Sequence, residues 1–159
     1  THDREEAFGL ADRLVILHNG VILQQGTPQE LFEQPSTPWL AEFLGLGNLV
    51  SGTVTQTEPL MIKTAFGELT VDIQSHQLNP GEECQILLRP ENAFINPLLS
   101  FEENNFECRV RDSLFMGEYY QLELLCDTTT LLARSHFPAD IDSRIDVSWP
   151  AEKIWVFSI

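Results

Sequence analysis

The sequence predicts a mainly β protein, with antiparallel barrel-like units following a short α/β segment, and three observations carry that expectation. Residues 1–47 combine helix caps with one hairpin turn signal. From Asn48 onward, apolar and polar residues alternate at the strand period of two. Turn-forming pairs such as Glu58-Pro59, Phe66-Gly67 and Asn79-Pro80-Gly81 interrupt that alternation at short intervals.

The first element is a helix of about two turns, with Asp3 as its N-cap, Glu6 as the capping-box partner and Ala7, Leu10 and Ala11 on its apolar side. Arg13–His18 and Val21–Gln25 follow as two strands joined by Asn19-Gly20, a dipeptide suited to type I′ turns, where both central residues take positive φ. Thr27, Pro28 and Glu30 supply an N-cap, a first-turn proline and a second capping box. Beyond Pro35 and Pro38, the positions Trp39, Leu40, Phe43 and Leu44 make a helical apolar stripe that stops at Gly45 and Gly47.

The remaining residues, 48–159, read as a β domain. Val50, Gly52 and Val54, then Leu60 and Ile62, then Leu69, Val71 and Ile73 form a meander. Phe106–Val110, Tyr120–Leu125, Leu131–Arg134, Ile145–Trp149 and Ile154–Phe157 repeat the texture. Gln85–Ile95 can be laid over Arg144–Trp155 with Pro90 against Pro150, each a strand ended by proline and followed by a short apolar strand. An internal duplication into two units of about fifty residues fits this overlay, and so does chance likeness between amphipathic strands.

The net charge of −15, with 24 acidic against 9 basic residues, argues against a nucleic-acid partner, because a phosphate backbone must be met by Lys and Arg. No apolar run approaches the ~20 residues of a membrane-spanning helix. Cys84, Cys108 and Cys126, odd in number and without a C-x-x-C pair, are expected to be reduced cysteines that pack in strands. His18, His76 and His136 stand singly and suggest no metal site.

Thr1-His2-Asp3 precedes a helix, a place where phosphates bind, although a lone histidine there more often has a structural role. The stretch from Thr1 to Phe32, continued by Pro35 and Phe43-Leu44-Gly45, closely resembles the end of the nucleotide-binding domain in ATP-binding cassette (ABC) import ATPases. There a T-H-D switch loop, a helix bearing E-A, an A-D-R strand start, an N-G hairpin and a G-T-P-x-E-L helix occur in that order. The resemblance implies that His2 contacts the γ-phosphate of ATP and aligns the attacking water, with Asp3 in a more structural part. It also implies ATP and Mg²⁺ as cofactors of a longer parent subunit. No G-x-x-x-x-G-K-[ST] loop, L-S-G-G-Q signature or apolar strand ending in Asp-Glu occurs, so this chain by itself is expected to hydrolyse no ATP and to need no cofactor.

Beyond Gly47, the Asn48 position, Leu88-Arg89-Pro90-Glu91 and Phe115-Met116-Gly117 resemble the transport-associated OB (TOBE) domain, an OB-like β-barrel unit of importers of sugars, polyamines, ferric iron and some oxyanions. The boundaries implied are 1–47 for the end of the nucleotide-binding domain and 48–159 for the OB-like domain. The implied parent is a cytoplasmic subunit, peripheral on the inner face of the membrane, that dimerises with a second copy and drives permeases fed by a solute-binding protein. Ferric iron and polyamines are the favoured solutes.

Arg89 and Glu91 are expected to form a near-surface pair worth ~1 kcal/mol or less, with ligand binding the less favoured role. Gly117 is expected at a bulge or tight bend. Tyr119, Tyr120, Trp149 and Trp155 are either core or binding surface, with core the commoner outcome. A domain that senses a small ligand or cation is the alternative function. The acidic surface favours a cation or polyamine and disfavours an oxyanion.

Overall fold

The computed structural model describes residues 4–72, 78–95 and 103–159, and the chain divides into two compact units, 1–46 and 47–159. In the first unit, α1 (Arg4–Leu10) precedes an antiparallel hairpin of β1 (Leu14–His18) and β2 (Val21–Gly26). Asn19 and Gly20 sit between them with φ of 50° and 80°, as a type I′ turn requires. Helix α2 (Pro28–Glu33) begins with the full capping box: the Thr27 hydroxyl accepts from the Glu30 amide, and the Glu30 carboxylate accepts from the Thr27 amide. Helix α3 (Pro38–Leu44) is capped by Thr37 and ends at Gly45. The proposed cap at Asp3 lies outside the described residues.

The second unit contains two five-stranded antiparallel sheets. One has the order β5-β4-β3-β6-β12, from β3 (Asn48–Thr57), β4 (Leu60–Thr64), β5 (Gly67–Val71), β6 (Glu83–Leu88) and β12 (Trp155–Ser158). The other has the order β10-β9-β8-β11-β7, from β7 (Phe94–Ile95), β8 (Asn105–Phe115), β9 (Tyr120–Cys126), β10 (Thr129–Ser135) and β11 (Arg144–Ser148). Both sheets send side chains into one core that includes Ile62, Ile86, Val110, Leu124, Leu131 and Val147. Burying these apolar faces against each other is what favours the paired arrangement.

The sheets repeat one another in detail, so the duplication that the sequence left open is present in the fold. A 3₁₀ turn and a short strand follow β6 and β11 alike, with Pro90 matching Ala151 and Phe94 matching Trp155, a spacing of 61. Strands β3 and β8 each bulge, between Val54 and Gln56 and between Val110 and Asp112. The Val54 amide donates to the Glu82 carbonyl at 2.9 Å and its carbonyl accepts from Gly81 at 2.8 Å; Val110 makes the same pair with Ser143 and Asp142 at the same two distances. Chance likeness of strands would not reproduce a bulge and its bonds. The overlay by prolines is off by one position, because Pro90 opens its 3₁₀ turn whereas Pro150 precedes the second.

The last strand of each half joins the sheet of the other. Strand β12 pairs with β6, and β7 pairs with β11. A second device ties the halves together through two asparagines. Asn48 donates from Nδ2 to the carbonyls of Leu88 and Leu132 and accepts from the Leu132 amide at Oδ1, all within 2.7–2.9 Å. Asn104 does the same with Trp149 and Thr70, within 2.7–3.0 Å. Leu132 and Thr70 lie on the outer strands β10 and β5, whose open edges would otherwise present an unmet amide and carbonyl there. The side-chain amide carries one donor group and one acceptor in the geometry of a peptide unit, so it completes each edge as a neighbouring strand would.

Two expectations are corrected. Cys108 and Cys126 are joined in a disulfide rather than standing as separate reduced thiols, while Cys84 is free and buried. Their separation of 18 residues concealed the link; pairing of β8 with β9 places them opposite each other with Cα atoms 4.4 Å apart and both side chains inside the core. Arg89 and Glu91 do not share the near-surface setting expected of them. Arg89 is only 7% exposed at the end of β6, whereas Glu91 is exposed on the following 3₁₀ turn.

Candidate functional site

Arg89 owes its place to the core around it. Trp149, which is fully buried, donates its indole N–H to the Arg89 carbonyl at 3.0 Å, so the end of β6 and the end of β11 are pinned by one polar contact within apolar surroundings. Trp149 is thus a core residue, and Tyr119, Tyr120 and Trp155 remain partly exposed. His2 and Asp3 lie outside the described residues, as does His76.

Of the other candidate positions, Glu91 and Tyr119 line a cleft of ≈ 530 Å³, while Tyr120 and Trp155 do not. Its floor and walls come from both halves: the 3₁₀ turn with Glu91 and the start of β7 with Phe94 from the first, and the β8–β9 turn and β10 with its continuation from the second. Gly117 positions one wall. It has φ of 99° at the first position of a two-residue turn, closed by a 2.8 Å bond from the Met116 amide to the Tyr119 carbonyl, and open space surrounds it. Only glycine takes that φ without strain, and the turn it makes presents Glu118 and Tyr119 to the cleft. The bulge of β8 lies instead at Arg111.

Arg134, on β10, stacks its guanidinium 4.3 Å from the centre of the Tyr119 ring. Phe137, just beyond β10, is 76% exposed, and Phe94 is 47% exposed. The Phe137 amide donates to the Ser135 hydroxyl, and the Ala139 amide donates to the Ser113 hydroxyl, which holds this segment beside the end of β8. The cleft therefore combines aromatic faces, two exposed carboxylates, one stacked cation and the exposed imidazole of His136. Sequence reading singled out Glu91, Gly117 and Tyr119 but passed over Phe94, Glu118, Arg134 and Phe137. No periodic signal marks them, since they meet only when β7 crosses to the second sheet.

Elsewhere the titrating groups serve the fold. Hydrogen bonds from the Asn79 side chain and amide hold the Glu82 carboxyl below its usual range and close the loop before β6. Burial pushes the Cys84 thiol up to about 11. Among the described residues no group of three or more His, Cys, Asp or Glu side chains could hold a metal ion, and no helix is long and apolar enough to cross a membrane.

Residues 86–157 match the family model of the TOBE domain. The chain is 30% identical over 156 residues to the spermidine/putrescine import ATP-binding protein PotA of Spiroplasma citri, spanning 98% of this chain and 43% of that protein. It is 35% identical over 175 residues to PotA of Trichodesmium erythraeum, spanning 99% of this chain and 45% of that one. The chain thus covers less than half the length of these relatives. In fold it is similar to the cytoplasmic molybdate-binding protein ModG, solved with molybdate bound, at a TM-score of 0.59 and 14% identity, over 70% of this chain and 96% of that one. That likeness supports the OB-type architecture of the β unit.

Proposed function

Because the chain carries the TOBE domain of an ABC importer's ATP-binding subunit, we propose that it is the regulatory region of a subunit that powers polyamine uptake. The observation that carries this reading is the extent of the likeness: 98–99% of the chain aligns with subunits named for spermidine and putrescine import. Both the hairpin unit and the β unit are therefore included, not the TOBE fold alone. Ferric iron, the other solute expected from the sequence, is not the solute these two relatives are named for.

In the full-length subunit, ATP and Mg²⁺ would be held by segments that this chain does not contain. The residues present do not fit ATP by themselves, since the 159 residues include no glycine-rich loop ending in Lys and Ser or Thr to cradle phosphates. His2 would supply the switch-loop contact to the γ-phosphate, with Asp3 beside it. The partners of the assembled importer are a second copy of the subunit, the membrane permeases and, through them, a solute-binding protein. Such a subunit works from the cytoplasm, peripheral on the inner face of the membrane.

The test is uptake. In cells lacking their own polyamine importers, the full-length subunit with its permeases is expected to restore accumulation of radiolabelled spermidine, and His2→Ala in that subunit is expected to abolish it. Restored uptake of ferric iron in place of spermidine would refute the assignment. The 159-residue chain alone is expected to release no phosphate from ATP above background in a colorimetric assay.

A further inference from the structure

We infer that Cys108 and Cys126 form a reversible thiol–disulfide site, opened and closed by exchange with a small-molecule thiol and its disulfide, and that its state sets the stiffness of the β8–β9 hairpin. The duplication shows that the bond is not what makes such a hairpin. Counted from the two bulges, Cys108 and Cys126 take the places that Gly52 and Thr64 hold in the first half. There β3 and β4 keep the same pairing and the same bulge with no covalent link. The dithiol form of β8 and β9 thus has a folded counterpart within the same chain.

Strand pairing by itself sets the two cysteines opposite each other, with Cα atoms 4.4 Å apart, so closing the bond is an intramolecular step. Cys126 is the last residue of β9 and precedes the turn that starts at Asp127, where φ is 53°. Cys108 lies inside β8, between β9 and β11. Both residues are at most 2% exposed, so exchange waits on local opening, and the turn end of a strand opens more readily than its interior.

In closing, the Cys126 thiol gives up its proton and attacks the small disulfide, which releases one thiolate and leaves a mixed disulfide. The Cys108 thiol then gives up its proton and attacks the Cys126 sulfur, which releases the second thiolate. Each departing thiolate takes one of the two protons, so two protein thiols and one small disulfide become one protein disulfide and two small thiols. Opening is the reverse. In a thiol-rich compartment the open form predominates, and the bond forms as the ratio of disulfide to thiol rises.

The third cysteine does not compete. Cys84 is buried on β6 in the other sheet and donates its S–H to the Gly52 carbonyl at 3.5 Å, and burial pushes its thiol up to about 11. The inference stands on the fold and not on the importer reading.

Graded mixtures of reduced and oxidised glutathione, equilibrated without air with the 159-residue chain from both the reduced and the oxidised side, test the inference. Acid quenching, alkylation of free thiols and mass spectrometry report the bonded fraction. It is expected to rise from under about a tenth to over about nine tenths across the mixtures, alike from both sides, with circular dichroism unchanged. Amide exchange in β8 and β9 is expected to be about tenfold faster in the reduced chain, with β3 and β4 altered less. Cys84→Ser is expected to leave the transition in place, and Cys108→Ser to collect one glutathione on Cys126. A bond that stays closed in the most reducing mixture, or a reduced chain that loses its circular dichroism, would overturn the inference in favour of a purely structural link. Equal exchange in the two states, or no glutathione on Cys126 in Cys108→Ser, would overturn it as well.

Discussion

Asn104 illustrates how much one side chain can carry. It is 6% exposed and satisfies the Thr70 amide, the Thr70 carbonyl and the Trp149 carbonyl. Its φ of 55° is one that asparagine tolerates better than most residues. Asn104→Gly keeps the backbone and removes the three bonds, so a loss of ~2–4 kcal/mol is expected in urea unfolding, the cost of leaving buried polar groups unmet. A neutral result would show that the asparagine matters for its backbone alone. Cys84 allows a prediction with pH. Burial raises its pKa from the usual 9.0 to about 11, so the thiol stays protonated in the folded protein while the unfolded chain ionises. Stability is therefore intact below pH 9 and falls as pH rises toward 11, which denaturant midpoints across that window would register. At pH 8 the native protein is expected to resist a thiol reagent.

At the scale of elements, the β8–β9 hairpin is closed twice, by its turn at Gly117 and by the Cys108–Cys126 bridge at the far end. A loop of this size closed by a disulfide confers about 3 kcal/mol in the chain-entropy account, with less where the strands already restrict the unfolded chain. Replacing both cysteines by alanine is expected to lower the urea midpoint, and a reductant is expected to shift the parent but not that variant. Helix α2 depends on its capping box. Hydrogen bonds from the Thr27 amide and hydroxyl hold the Glu30 carboxyl below its usual value of 4.5. That contribution is present above the unfolded pKa and is lost as pH falls through the depressed folded value. Amide exchange at the start of α2 is therefore expected to quicken in acid, and Thr27→Ala to quicken it already at neutral pH.

For the whole molecule, exchange of β7 and β12 between the sheets makes the halves of the β unit interdependent. Residues 47–95 without the second half lack β12 beside β6, the Asn104 closure of β5 and half of the shared core. Such a fragment is expected to unfold without a cooperative transition by circular dichroism, whereas residues 47–159 melt as one unit. The same interdependence creates the cleft, because Glu91 and Phe94 arrive with the first half's crossing strand and Tyr119 and Phe137 belong to the second.

The local elements were legible because their causes are local. Asn19-Gly20 dictates a turn, Thr27 with Glu30 a helix start, and the alternation after Asn48 a set of half-buried strands, each through residues within a few positions of one another. Even the duplication was visible as an overlay, one position out of register. What tertiary structure alone decided were pairings between residues far apart in the chain: Asn48 with Leu132, Asn104 with Thr70, Cys108 with Cys126, and Glu91 with the β8–β9 turn. Each depends on the register of one strand against another. A shift of a single residue would turn its side chains to the other face, and pairing over such separations is set by the packing of the whole core.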